Sequence, residues 1–95
     1  KINAYEYERL VGYCKNIIVT LVKDGTRYND NIYNAPTVEV ADVCGAGDTF
    51  LSALAYEYLN TKSIETAIAF ANRAASVTVK HIGVYAPTLE EINAA

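Results

Sequence analysis

At Gly47 the apolar pattern of this chain changes period, and that switch constrains the fold more than any other feature. Upstream, Asn16-Ile-Ile-Val-Thr-Leu-Val22 is a β-branched run with the length of a buried strand. Lys23-Asp24-Gly25 is a turn signal that favours a hairpin into Thr26-Arg-Tyr-Asn29, and Asn31 to Tyr33 and Thr37 to Val40 are further strand candidates on either side of Pro36. Downstream, Phe50, Leu51, Leu54 and Tyr58 recur at helical spacing, and Asn60 is a stop signal, which predicts a helix of about three turns. Ser63 is an N-cap for a second helix whose stripe is Ile64, Ala67, Ile68, Ala71, Ala75 and Val79. Thr88 caps a last short helix, Leu89 to Asn93, and Asn3 to Cys14 is a helix candidate at the other end. Strands followed by helices permit an α/β or an α+β domain, and by pattern alone both stay open.

Residues 1–95 contain no repeat or linker and are read as one unit. Met is absent, so the chain is expected to be a fragment with further sequence before Lys1. The net charge of −3 comes from scattered rather than clustered cations, which argues against a nucleic-acid partner. The runs from Ile17 to Val22 and from Phe50 to Ala55 are too short to span a bilayer, so no membrane is expected. Cys14 and Cys44 form no metal-ligand spacing and read as reduced thiols of a cytoplasmic protein. The eight tyrosines supply amphipathic faces that suit another domain or a homodimer partner, and equally suit ordinary core and surface positions.

The stretch that carries chemistry is Asp42-Val-Cys-Gly45-Ala46-Gly47-Asp48-Thr49-Phe50, a small-residue loop running straight into a helix. The first N–H groups of a helix lack intrahelical acceptors, the dipole is positive there, and glycine lets an anion come close to the main chain. Gly45, Ala46 and Gly47 therefore suit charge developing on a transferring phosphoryl group, and Asp48 sits where a carboxylate could take a proton from a neighbouring hydroxyl. On spacing alone Asp48 also fits an acidic residue that only stabilises its own helix. A P-loop is absent, and Phe50 stands where a dinucleotide fingerprint needs a third small residue.

Asp42-Val-Cys-Gly-Ala-Gly-Asp-Thr-Phe-Leu-Ser-Ala-Leu-Ala55 resembles the C-terminal signature of the ribokinase-like (PfkB) carbohydrate kinases. The likeness extends through Ala67-Ile-Ala-Phe-Ala-Asn-Arg-Ala-Ala-Ser76, Gly83-Val-Tyr-Ala-Pro87 and Asn3-Ala-Tyr-Glu6. It implies the C-terminal portion of a three-layer α/β/α kinase, nucleotide-binding, with the sugar-binding part missing. Its partners would be ATP and a sugar or sugar phosphate. The resemblance makes Asp48 the catalytic base and Gly45, Ala46 and Gly47 the anion hole, with Asp42 ordering the loop. Asn3 and Glu6 would organise Mg²⁺ through water, Thr20 and Gly25 would belong to the nucleotide loop, and Asn72 would line the adenine pocket. A monovalent cation would sit on backbone carbonyls near His81, whose side chain is given no role. Without the family, Asn3 and Glu6 are two polar residues on one helical face, and Asn72 is a polar residue on an apolar helix.

Three departures from the family pattern stand out: Val22 replaces the first glycine of the nucleotide loop, Val43 replaces a threonine, and the segment between Glu6 and Ile17 is short. The Asp-Val-x-Gly-Ala-Gly-Asp variant and the tail look like the heptose 7-phosphate kinases of the ADP-heptose pathway, which implies D-glycero-β-D-manno-heptose 7-phosphate as acceptor. A non-catalytic nucleotide-binding or regulatory relative is the alternative. Retention of Asp48 argues against it.

Overall fold

The β-branched run does form a strand, β2 (Ile18–Thr20), shorter than the seven-residue pattern that announces it. The computed structural model describes residues 1–9, 16–21, 25–29 and 31–95. Ile18 and Val19 are buried, and β3 (Thr26–Tyr28) folds back antiparallel with Ile18 opposite Tyr28 and Thr20 opposite Thr26. A second antiparallel pairing adds β4 (Asn31–Tyr33), with Thr26 opposite Tyr33. On the other edge β1 (Ile2–Asn3) runs parallel to β2, giving the order β1-β2-β3-β4.

Among the described strands only β1 and β2 are parallel, so the sheet is mixed. Short connections join antiparallel neighbours, as between β2 and β3 and between β3 and β4, whereas a parallel pair needs a longer crossover. The strand expected at Thr37 to Val40 is absent. Pro36 removes a donor there, and the chain instead ties its next amides, Ala41 and Asp42, to the Val79 carbonyl at 2.7 and 3.1 Å.

Lys23 and Asp24 of the expected turn lie outside the described residues, but Gly25 is described, with φ +92°. A Cβ there would stand 2.1 Å from the Tyr33 carbonyl oxygen and 2.8 Å from the Ala35 nitrogen. Both atoms are backbone, so Gly25→Ala is expected to destabilise the fold by about 3 kcal/mol or more. A thermal midpoint equal to the parent's would show that this end of the sheet yields easily.

The helices follow the pattern closely. Helix α2 (Ala46–Thr61) is longer than the expected three turns, because the chain leaves it at Lys62, with φ +57°, and not at Asn60. In α3 (Ile64–Thr78), Ser63 Oγ accepts from the Thr66 amide as the cap predicts. Thr88 and Glu91 form a reciprocal capping box on α4 (Leu89–Ala94), and Asn3 with Glu6 does the same on α1 (Ala4–Glu8). The rest of the helix expected to Cys14 falls on residues 10–15, outside the described set.

Phe50, Ala53 and Leu54 of α2 pack on Ala67, Ile68, Phe70, Ala71 and Ala74 of α3, and this layer covers Ile18, Tyr28 and Tyr33 of the sheet. Ala67, Ala71 and Ala74 are fully buried, so the alanine stripe lets the two helices approach closely. Leu51 and Tyr58, which share the predicted stripe of α2, are exposed instead. Leu59, Ile82, Val84 and Leu89 are further large apolar side chains left exposed. Apolar faces thus remain uncovered within residues 1–95.

Candidate active site

Asp42 organises the loop that precedes α2. One carboxylate oxygen accepts from the Cys44 amide at 3.0 Å and the other from the Gly83 amide at 2.9 Å, joining the loop to the 81–88 segment. These donors, Gly83 foremost, hold the Asp42 carboxyl below the ordinary carboxylate range. Its contribution to loop order is thus complete above about pH 4, the unfolded value, and is lost as pH falls through the lower folded value. Asp42→Asn should loosen the loop already at neutral pH and flatten that acid response, measurable as amide exchange at Cys44 and Gly83. An unchanged profile would remove Asp42 from the loop's organisation.

Gly45 is the N-cap of α2, with φ +78°, a conformation that favours glycine. It has no side chain with which to cap, so the first amides are left to the main chain. Ala46 donates to the Val43 carbonyl at 3.2 Å and Thr49 to the Gly45 carbonyl at 2.9 Å. Among the described residues the Gly47 and Asp48 amides have no backbone acceptor. Two N–H groups thus stand together at the positive end of a sixteen-residue helix, the arrangement an anion requires. The Lys1 ammonium lies beside them, 3.1 Å from where a Cβ on Gly47 would be. Sequence reasoning missed Lys1; nothing in the spacing links a residue at one end of the sheet to a loop 46 positions later.

The Asp48 side chain is exposed and lines a groove of about 370 Å³ with Thr49, Ser52 and Tyr56 of α2, Phe70 and Ala74 of α3, and the 84–87 segment. Tyr85 anchors that segment. Its hydroxyl proton is shared between the two Glu91 carboxylate oxygens at 2.9 and 2.8 Å, and His81 stacks on its ring with centroids 3.6 Å apart. Glu91 holds the Tyr85 hydroxyl above its ordinary value through that hydrogen bond.

Thr20, Gly25 and Asn72 gather elsewhere, at the end of the β2–β3–β4 sheet. Asn72 is 5% exposed, its amide oxygen accepts from the Thr26 hydroxyl at 2.7 Å, and its amide nitrogen donates to the Tyr33 carbonyl at 2.9 Å. That is the same carbonyl Gly25 approaches, and Thr20 is the ladder partner of Thr26. Asn72 therefore clamps α3 to both strands. Phe70 and Ala74 line the Asp48 groove, but Asn72 is turned about 200° from each around the helix. The two groups of residues are distinct neighbourhoods along α3.

Asn3 and Glu6 are occupied with each other: Glu6 N donates to Asn3 Oδ1 at 2.7 Å and Asn3 N to Glu6 Oε1 at 3.0 Å. Glu6 keeps its second carboxylate oxygen free of this box. Among the described residues no three His, Cys, Asp or Glu side chains converge as a metal cage. Mg²⁺ typically takes one or two carboxylates, waters and phosphate oxygens, and a sparse donor set of this kind fits it. Cys44 is a free, exposed thiol, while Cys14 lies outside the described residues. No helix among the described residues is long and apolar enough to cross a membrane.

Residues 4–92 match the model of the pfkB family carbohydrate kinases. The chain is 44% identical over 81 residues to the bifunctional protein HldE of Nitratiruptor, covering 82% of this chain and 18% of that protein. It thus spans less than a fifth of that relative's length. Among solved structures it is similar to a ribokinase from Thermotoga maritima, with a TM-score of 0.80, 30% identity, and coverage of 84% of this chain and 29% of that one. A ribokinase from Arabidopsis thaliana, complexed with ribose and ATP, gives a TM-score of 0.77 at 30% identity, covering 84% of this chain and 28% of its own. The fold expected from the loop motif, ribokinase-like α/β, is the one these structures share with it.

Proposed function

Since this chain belongs to the pfkB family of carbohydrate kinases, we propose that it is the C-terminal, nucleotide-binding portion of a kinase moving the γ-phosphoryl of ATP to a hydroxyl of a sugar or sugar phosphate. D-glycero-β-D-manno-heptose 7-phosphate is the favoured acceptor, because bifunctional HldE proteins are among the chain's relatives and the Asp42 to Asp48 stretch resembles that of heptose 7-phosphate kinases. The observation that carries the reading is the Gly45–Asp48 turn: two amides without acceptors among the described residues, followed at once by an exposed carboxylate.

In this reading the acceptor oxygen attacks the γ-phosphorus in line, its proton passes to the Asp48 carboxylate, and ADP leaves with the bridging oxygen. Charge spread over the phosphoryl oxygens is met by the Gly47 and Asp48 amides and by the α2 dipole. Gly45 and Ala46 shape the turn that aims those amides, and Asp42 fixes it to the 81–88 segment. Bound Mg²⁺ would offset phosphate charge, with Glu6 and Asn3 as its water-mediated holders. Backbone carbonyls near His81 would hold a monovalent cation. Thr20 and Gly25 would belong to the nucleotide loop, and Asn72 would shape the adenine pocket by keeping the ends of β3 and β4 in place.

The complete protein, given Mg·ATP and a panel of sugars and sugar phosphates, is expected to release ADP only when an acceptor is present, and fastest with the heptose phosphate. Nucleotide binding without transfer to any acceptor would favour a non-catalytic relative instead.

A further inference from the structure

We propose that Thr78, which lies on α3 away from the reacting atoms, is a positioning residue that sets how α2 presents its first amides and Asp48. The inference rests on the reading of Gly45–Asp48 as the phosphoryl-transfer turn. Thr78 is 0% exposed on a helix whose buried face is otherwise mostly alanine, isoleucine and phenylalanine. A valine would fill the same space, so a buried hydroxyl there has to be used.

It is used twice. Thr78 Oγ1 lies 3.0 Å from the Tyr85 carbonyl and 3.1 Å from Thr49 Oγ1. The carbonyl can only accept, so Thr78 donates to Tyr85 and the Thr49 hydroxyl donates to Thr78. Thr49 follows Asp48 directly, and Tyr85 belongs to the segment that lines one side of the Asp48 groove.

The next residue completes the clamp. The Val79 carbonyl accepts from the Ala41 and Asp42 amides, so the end of α3 grips the loop before its glycines while Thr78 grips it after them. Gly45 offers no side-chain cap to α2, and Thr78 supplies from a neighbouring helix the fixation that a cap would give locally. Misplacement of a reacting group by about 1 Å can cost on the order of 100-fold in rate, so a single anchor at this point has leverage.

The test compares Thr78→Val and Thr78→Ser in the complete protein by steady-state kinetics and by amide exchange over residues 45–50. Thr78→Val should lower kcat about tenfold or more, leave the acceptor KM within about threefold, and speed exchange at Gly47 to Thr49 while residues 67–71 are unchanged. Thr78→Ser should restore both readouts. Wild-type kcat and exchange in Thr78→Val would overturn the proposal, as would equal impairment in Thr78→Ser, which would assign the effect to the methyl group. Should Thr78→Val not fold, Thr49→Val removes the same hydrogen bond from the other side, and unchanged exchange at Gly47 and Asp48 would overturn the proposal equally. If the parent protein transfers no phosphate, the kinase reading falls, while the exchange data still decide whether Thr78 positions the turn.

Discussion

Asp48→Asn is expected to lower turnover of the complete protein by about 10² to 10⁴-fold, the usual contribution of a positioned general base, with little change in affinity for the nucleotide. The substitution keeps the side chain's shape and its place in the first turn of α2, and removes only the capacity to accept a proton. Asp48 is exposed, its side chain makes no hydrogen bond among the described residues, and it lines the groove, so little of the fold depends on it. A helix-stabilising aspartate would behave differently: its loss would cost about 0.3 to 1 kcal/mol of stability and leave turnover near the parent's. Measuring kcat beside the thermal midpoint separates the two.

The second large effect concerns residues 1–95 alone, which are expected to phosphorylate no sugar. Holding an acceptor hydroxyl in near-attack geometry can supply about 7 to 11 kcal/mol of the barrier, and that hold must come from polar groups arranged around the sugar. The groove beside Asp48 is lined largely by Phe70, Ala74, Val84, Pro87 and Ile92, and its Thr49 and Tyr85 hydroxyls are already bonded to Thr78 and Glu91, so few groups remain to orient a polyol. The exposed Leu51, Leu59, Val84 and Leu89 should in addition drive this piece to associate. Sugar phosphorylation by the 95-residue chain at the rate of the complete protein would place the acceptor site within it and overturn this expectation.

How much of this was legible beforehand depended on how local the cause was. The boundaries of α3 follow from Ser63 and the stripe beginning at Ile64, and β4 lies where Asn31 to Tyr33 predicted it, because caps and short β-rich runs act within a few residues. The direction of the β1–β2 pairing and the failure of Thr37 to Val40 to form a strand are non-local; they depend on crossover length and on which amides find α3 first. The same divide runs through the site. The Gly45–Asp48 turn is contiguous and could be read directly, whereas Asn3 and Glu6 read only as two polar residues on one helical face and prove to cap α1 together. The family resemblance singles out Asn72, but its partners Thr26 and Tyr33 lie 46 and 39 residues away. Thr78 gave only the signal of a polar residue on the buried side of an apolar helix. Lys1 gave none, since only the pairing of β1 beside β2 brings that end of the chain to Gly47.

Whether phosphate is transferred at the turn before α2 can be decided by a crystal structure of the complete protein with a non-hydrolysable ATP analogue, Mg²⁺ and the heptose phosphate. The terminal phosphate is expected within about 2.7 to 3.1 Å of the Gly47 and Asp48 nitrogens, and the acceptor hydroxyl at hydrogen-bond distance from the Asp48 carboxylate. A triphosphate bound away from those amides, with the acceptor hydroxyl out of reach of Asp48, would contradict it.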